Sequence, residues 1–157
     1  MPKISDVLLW ELPKQPVLEI TVETTLSKAA DIIQDSTMKL FSYLNEVGAL
    51  TSDVPYVVYH DWKTMYEKPF TISVGLPVPK TLPGKGKIVS RNLPNAKVIS
   101  ALHRGTYSEM YDLYAYMEKW ATDHGLHVGG DCYEYYYNGA ELDEEDYLTK
   151  VIFEIDG

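Results

Sequence analysis

A chain of 157 residues is long enough for one domain with a core of its own, without metal or disulfide support. Its single cysteine, Cys132, can form no internal disulfide, which points to a reducing, cytoplasmic setting. The net charge of -9 argues against direct contact with nucleic acid, and no apolar run approaches the ~18 residues that cross a bilayer.

The first six residues, Met1-Pro2-Lys3-Ile4-Ser5-Asp6, lack the charged start and small-residue cleavage site of a signal peptide. Residues 17–23 then alternate. Leu18, Ile20 and Val22 share one face and Glu19, Thr21 and Glu23 the other, which predicts a strand with one wet side. Apolar residues recur at helical spacing from Ser27 to Val47 (Ala29, Ile33, Leu40, Phe41, Leu44 and Val47), and Gly48 supplies a stop. Tyr56–Tyr59 and Phe70–Leu76 read as two more strands. The stretch from Pro77 to Lys87 breaks all periodicity. It holds the local basic cluster Lys80, Lys85 and Lys87, and its Pro and Gly content reads as a linker.

The second half repeats this order. Ala96–Leu102 is strand-like. Thr106-Tyr107-Ser108-Glu109 fits a capping box, with Thr106 as N-cap. Met110, Leu113, Tyr114, Met117, Trp120 and Ala121 form a helical stripe closed by Gly125. Cys132–Tyr137 and residues 147–155 are the last two strands. Strand–helix–strand–strand thus occurs twice, at about residues 15–78 and 95–156. The pattern predicts a single α+β domain over 1–157: a tandem β-α-β-β repeat, with two helices on one face of a shared, mainly antiparallel sheet and a ligand groove between the halves.

Thirteen tyrosines against three phenylalanines and three tryptophans give the chain an excess of rings that are flat, apolar and polar-tipped. Glu134 sits in the run Tyr133-Glu134-Tyr135-Tyr136-Tyr137. Alternation places it with Cys132 and Tyr136 and turns Tyr133, Tyr135 and Tyr137 the other way. Spacing leaves two readings: an exposed strand glutamate, or a buried carboxylate that requires a cation or a hydrogen-bond donor. Tyr107, Tyr111 and Tyr114 lie three and four apart on the second helix, as core residues or as walls of a ligand cage. Tyr59 and Trp62, at a strand end, either roof a pocket or cap a core. His124 and His127 straddle a helix-ending glycine, without the HExxH spacing that converges two rings on a metal. The acidic run Glu141 to Asp146 lacks the spacing of a calcium loop and reads as a solvated turn. Cys132 reads as a buried structural thiol. No motif calls for a cofactor or a metal.

Taken together, His103-Arg104-Gly105-Thr106-Tyr107, the aromatic helix to Trp120, His124-Gly125, Gly130 and Tyr133-Glu134-Tyr135-Tyr136 resemble the second half of GyrI-like small-molecule-binding domains. These include the effector-binding domains of multidrug-responsive transcription activators. Pro55-Tyr56-Val57-Val58-Tyr59 and Val74-Gly75-Leu76-Pro77-Val78 resemble the matching segments of the first half. The resemblance implies that Glu134 meets cationic ligands, that Tyr107 and Tyr59 fall on aromatic positions of the site, and that a groove lies between the repeats. Glu134, Tyr136, Tyr107, Tyr111, Tyr59 and Trp62 are the candidate ligand-binding residues. The family's Gly-Pro-Tyr is Gly105-Thr106-Tyr107 here, which keeps the aromatic and alters the turn. Only sixteen residues precede the first expected strand, so the activators' DNA-binding helical domain is not expected.

Four functions follow from the resemblance. The first is binding of small aromatic or lipophilic cations for sensing or sequestration. The second is hydrolysis of cyclopropane-fused genotoxic molecules at the same site, with Glu134 as the catalytic residue. The third is a gyrase-modulating protein contact. The fourth is a haem carrier, with His60 or His103 as ligand. The expected partner in the first two is a small molecule, with no direct nucleic acid and no membrane.

Overall fold

The computed structural model describes residues 3–139 and 141–156. Met1 and Pro2, which enter the reading of the N-terminus, lie outside the described residues. In chain order the elements are β1 (Lys3–Ile4), β2 (Leu8–Leu12), β3 (Gln15–Thr24), α1 (Leu26–Glu46), β4 (Tyr56–Tyr59), β5 (Phe70–Pro77), β6 (Val89–Leu93), β7 (Ala96–Arg104), α2 (Met110–Asp123), β8 (His127–Tyr136) and β9 (Leu148–Asp156). The repeat is visible in this order: β3-α1-β4-β5 is followed by β7-α2-β8-β9. The fold class is α+β. Among the described residues no helix is long and apolar enough to cross a membrane.

The chain forms two compact units. One runs from Pro13 to Asn95; the other joins the N-terminal residues up to Leu12 to those from Ala96 onward. In the first unit the strand order is β4-β5-β3-β6, antiparallel throughout. In the second it is β8-β9-β7, and β1 and β2 both pair with the far edge of β7.

Two parts of this arrangement differ from the sequence reading. The linker expected between the two repeats, near residues 77–95, contains β6, which pairs with β3 from Gln15↔Leu93 to Glu19↔Val89. The N-terminal dozen residues, read as preceding the first strand, supply β1 and β2. Both additions lie at sheet edges, where a strand needs little apolar surface and shows no clean alternation.

Each helix buries one stripe. In α1 the stripe is Ala29, Ser36, Leu40, Tyr43 and Leu44. Phe41, expected on it, is exposed because the step of about 100° from Leu40 carries it beyond the buried arc, and Val47 is exposed because it is the C-cap, past the last turn of α1. In α2 the stripe is Met110, Leu113, Tyr114, Met117 and Ala121. Full burial of residues such as Leu113 and Met117 contributes about 1.5–3 kcal/mol each. The predicted cap is present. The Thr106 N–H donates to Glu109 Oε1 at 3.3 Å, and the Thr106 hydroxyl donates to the same oxygen at 3.0 Å. Trp120 is only half-buried and stacks on His124, ring centroids 3.8 Å apart.

The wet side expected of β3 holds at Thr21 and Glu23, which are exposed, and fails at Glu19. Glu19 is 1% exposed. Its Oε2 accepts the Tyr56 hydroxyl at 2.6 Å, and its Oε1 accepts Nη1 of Arg91 at 2.6 Å. Tyr56 lies opposite Gly75 across β4 and β5, and Glu19 lies opposite Gly75 across β3 and β5. The Tyr56 ring therefore passes over a residue with no side chain to reach the carboxylate. Farther along the same face, Thr21 and His60 Nε2 both meet the Ser73 hydroxyl, at 2.8 and 2.9 Å. This face of the first unit is polar, covered at Glu19 and Ser73 and open at Thr21 and Glu23, a difference that alternation alone does not reveal.

Candidate functional site

The site is built on β8. Gly130, at φ 62°, adopts a backbone that other residues rarely reach, and the register with β9 shifts between Val128 and Cys132. Beyond this bulge the strand alternates as expected. Cys132, Glu134 and Tyr136 lie opposite Phe153, Val151 and Thr149 of β9. That face carries α2, because the Tyr114 ring meets Phe153 edge-on with centroids 5.4 Å apart.

Glu134 is 7% exposed. Tyr114 Oη donates to its Oε2, and Tyr136 Oη donates to its Oε1 at 2.7 Å. The Cys132 thiol in turn donates to Tyr114 Oη at 3.4 Å. Two phenols thus hold the carboxylate in one orientation, one from the helix and one from its own strand. The structure favours the buried reading of Glu134 over the exposed one.

The tyrosine cluster extends outward from Tyr136. The Tyr107 ring meets Tyr136 edge-on at 5.6 Å and lies at 5.0 Å from Tyr147. Tyr107 is 46% exposed, so part of its face is open to solvent. Partial burial, followed by the influence of Tyr147, Glu134 and Glu144, pushes its phenol up to about 12. At neutral pH it is therefore an uncharged ring. Burial, with Glu134 adding to it, also pushes the Cys132 thiol well up, against a smaller opposing effect of its bond to Tyr114. A neutral, buried thiol is a poor nucleophile, in keeping with the structural role expected for Cys132.

The candidate residues separate into three groups. Glu134, Tyr136 and Tyr107 come together. Tyr111 is on α2 and 66% exposed, so it is not part of the core. Tyr59 and Trp62 belong to the other unit. Tyr59 ends β4 half-buried, 6.2 Å from the Phe70 ring, and Trp62 is buried in the short turn that follows. Tyr114, read from sequence as core or as cage wall and not among the candidate ligand-binding residues, is the helix residue that meets Glu134. It shares the apolar stripe of Met110, Leu113 and Met117, and that membership is the signal that aims it at the sheet while Tyr111 turns away.

The remaining expected features lie away from this cluster. His124 Nδ1 bonds the Trp120 carbonyl at 2.7 Å, and His127 Nδ1 lies 3.2 Å from Asp156, so the two rings take separate partners. Glu144–Asp146 form an exposed turn, as the acidic run suggested.

Next to Tyr136 in the same cross-strand row stand Thr149 and then His103. Both are fully buried. His103 Nε2 lies 3.1 Å from the Thr106 carbonyl, which can only accept, so Nε2 carries the proton. Among the described residues, His103 Nδ1 and Thr149 Oγ1 have no hydrogen-bond partner. A buried hydroxyl without a partner carries a desolvation cost that an isosteric methyl does not. Thr149→Val is therefore expected to change stability by less than about 0.5 kcal/mol, or to raise it slightly. Urea unfolding checks this; a loss above 1 kcal/mol would mean that the hydroxyl is engaged after all.

The model of the GyrI-like small molecule binding domain matches residues 6–156. The chain belongs to this family. Its GyrI-like fold is shared by several solved structures. EcmrR in its DNA complex superimposes with a TM-score of 0.83 at 20% identity, over 96% of this chain and 57% of that one. The chain thus spans little more than half the length of EcmrR. The EcmrR C-terminal domain alone gives a TM-score of 0.76 at 19% identity, covering 97% of this chain and 98% of the domain. A hydrolase encoded by lin2189 from Listeria innocua gives 0.74 at 11% identity, covering 97% and 92%. SAV2435 bound to tetraphenylphosphonium gives 0.60 at 14% identity, covering 97% and 94%. At these identities the likeness is one of fold. No curated protein sequence matches the chain.

Proposed function

We propose that this GyrI-like domain binds flat, lipophilic cations, with Glu134 supplying the charge and Tyr107 and Tyr136 supplying ring surface. The observation that carries this reading is the buried Glu134 carboxylate, held by two phenols and bordered by a half-open tyrosine. A cation on such rings gains ~0.5–2 kcal/mol per ring, and more when desolvated. A carboxylate already oriented by hydrogen bonds loses little entropy on pairing. The tetraphenylphosphonium bound to SAV2435 is likewise a lipophilic aromatic cation, tetrahedral where the proposed ligands are flat. Tyr111 enters the proposal as additional aromatic surface. The role would be sensing or sequestration.

The test replaces the charge and keeps the shape. Glu134→Gln is expected to weaken tetraphenylphosphonium by about 30-fold, the equivalent of ~2 kcal/mol. A neutral triaryl compound of the same size should change by less than about threefold. Fluorescence titration of both probes decides. Equal losses would mean that the site reads shape alone.

A second reading has one observation in its favour. Glu134 beside two hydroxyl donors is a base next to candidate acids, and one structural neighbour is a hydrolase. In this reading Glu134 takes a proton from water while the hydroxide oxygen adds to a strained ring carbon. The ring C–C bond breaks, and the Tyr136 phenol protonates the released carbon. Glu134 then returns its proton to the tyrosinate. Mass spectrometry of a cyclopropane-bearing alkylator incubated with the protein would show the water adduct at turnover; an unchanged reagent counts against it.

A further inference from the structure

The basic stretch read as a linker forms one wall of a cavity in the first unit, and the proposed cation site does not use it. Ile20, Lys39, Ser42, Tyr43, Glu46 and the segment Lys85–Ile88 line a space of about 440 Å³. That volume falls among ligand pockets, which run from roughly 300 to 1,000 Å³. The segment is tied down on both sides. Lys85 and Ile88 exchange both backbone hydrogen bonds at 2.9 Å, across a two-residue turn in which Gly86 sits at φ 58°. The Tyr43 hydroxyl donates to the Pro83 carbonyl at 2.7 Å, and Lys85 Nζ bridges both carboxylate oxygens of Glu46, at 2.9 and 3.0 Å. The wall is thus a fixed hairpin on the last two turns of α1.

The chemistry of the lining is amphipathic. Its floor includes the buried residues Ile20 and Tyr43. Its rim carries Lys39, Lys85 and Lys87 against the single carboxylate of Glu46. Lys39 is paired with Asp35 at 3.1 Å and Lys85 with Glu46. Lys87 has no ion-pair partner among the described residues. In a chain of net charge -9, this local excess of positive charge is the opposite of what the overall balance would give. An apolar floor with a cationic rim fits a ligand with a flat apolar body and one acidic group.

We propose that this cavity is a second binding site, for small amphipathic anions such as aryl sulfonates and aryl carboxylates. Lys87 meets the acidic group, and Ile20, Tyr43 and Ile88 receive the apolar body. The site is separate from Glu134 in its residues and opposite in its charge preference.

The probe is 8-anilinonaphthalene-1-sulfonate, titrated by fluorescence against the folded protein. Saturable binding is expected, weakened by about tenfold in Lys87→Glu and retained in Lys87→Arg. Glu134→Gln should leave it unchanged, and tetraphenylphosphonium should not compete. Lys87 is exposed in a turn, so circular dichroism of the variants should match the parent. The proposal is overturned if the parent shows no saturable binding, or if Lys87→Glu binds as the parent does. It is also overturned if the anion is lost in Glu134→Gln or displaced by tetraphenylphosphonium, because the anion would then occupy the other site.

Discussion

Replacing Arg91 with alanine is expected to destabilise the protein by about 3 kcal/mol, although the Arg91 side chain is 47% exposed. The loss arises at its partner. Glu19 is buried, and its carboxylate accepts only strong donors: the Tyr56 hydroxyl on one oxygen and the Arg91 guanidinium on the other. Without the guanidinium, a buried charge keeps a single neutral donor. Removal of one partner of a fully buried pair costs 3–5 kcal/mol, and the exposure of Arg91 places this case at about the lower end. Glu19→Gln should largely rescue Arg91→Ala, since a neutral amide needs no cation and its carbonyl can still accept from Tyr56. Urea unfolding of the two single variants and the double variant reads the coupling directly. A double variant no more stable than Arg91→Ala would show that Arg91 acts through packing and not through the charge on Glu19.

Gly75→Ala should cost a similar amount, about 3 kcal/mol, for a steric reason. A β-carbon at Gly75 would overlap the Tyr56 ring at Cζ and Oη. The ring cannot simply move aside, because its hydroxyl is anchored on Glu19 and its edges are fully buried. Either the ring shifts and Glu19 loses a donor, or β4 and β5 separate locally. In a Tyr56→Ala background the same substitution should add little, because the obstructing ring is gone. A thermal or urea unfolding series on the four proteins tests this. A Gly75→Ala variant within 1 kcal/mol of the parent would mean that the ring is free to yield.

Both predictions turn on Glu19, which alternation in β3 placed on the wet side of its strand. Alternation in β3 correctly assigned Glu19 and Ile20 to opposite faces. It carried no information on what would cover each face. The cover came partly from β6, whose Val89-Ser90-Arg91-Asn92-Leu93 has the polarity of an edge strand and follows a Pro/Gly-rich stretch. An edge strand needs only a partner's free backbone groups, so its own sequence advertises little. The same reason hid β1 and β2, which lie on the edge of β7.

The Glu134 site was legible to a different depth. Alternation in β8 put Glu134 on the face of Cys132 and Tyr136, and the register with β9 agrees. The capping box opens the short turn Tyr107–Glu109 that leads into α2, and the Met110/Leu113/Met117 stripe fixed which side of α2 is buried. From α2 it is Tyr114 that bonds Glu134, whereas Tyr111 is exposed. The two are three positions apart, close enough on a helix to share a neighbourhood and far enough to differ in exposure.

Two kinds of information are therefore separable in this protein. Hydrophobic periodicity and turn chemistry determined the twice-repeated strand–helix–strand–strand order and the pairing of Glu134 with Tyr136 on one face, because both are local geometry. The burial of Glu19 and Glu134 was decided only by the tertiary structure. A carboxylate's environment depends on donors distant in sequence: Arg91 lies seventy-two residues from Glu19, and Tyr114 lies twenty residues from Glu134. Strand pairing and helix docking bring these groups together, and no short-range pattern encodes the distance they must close.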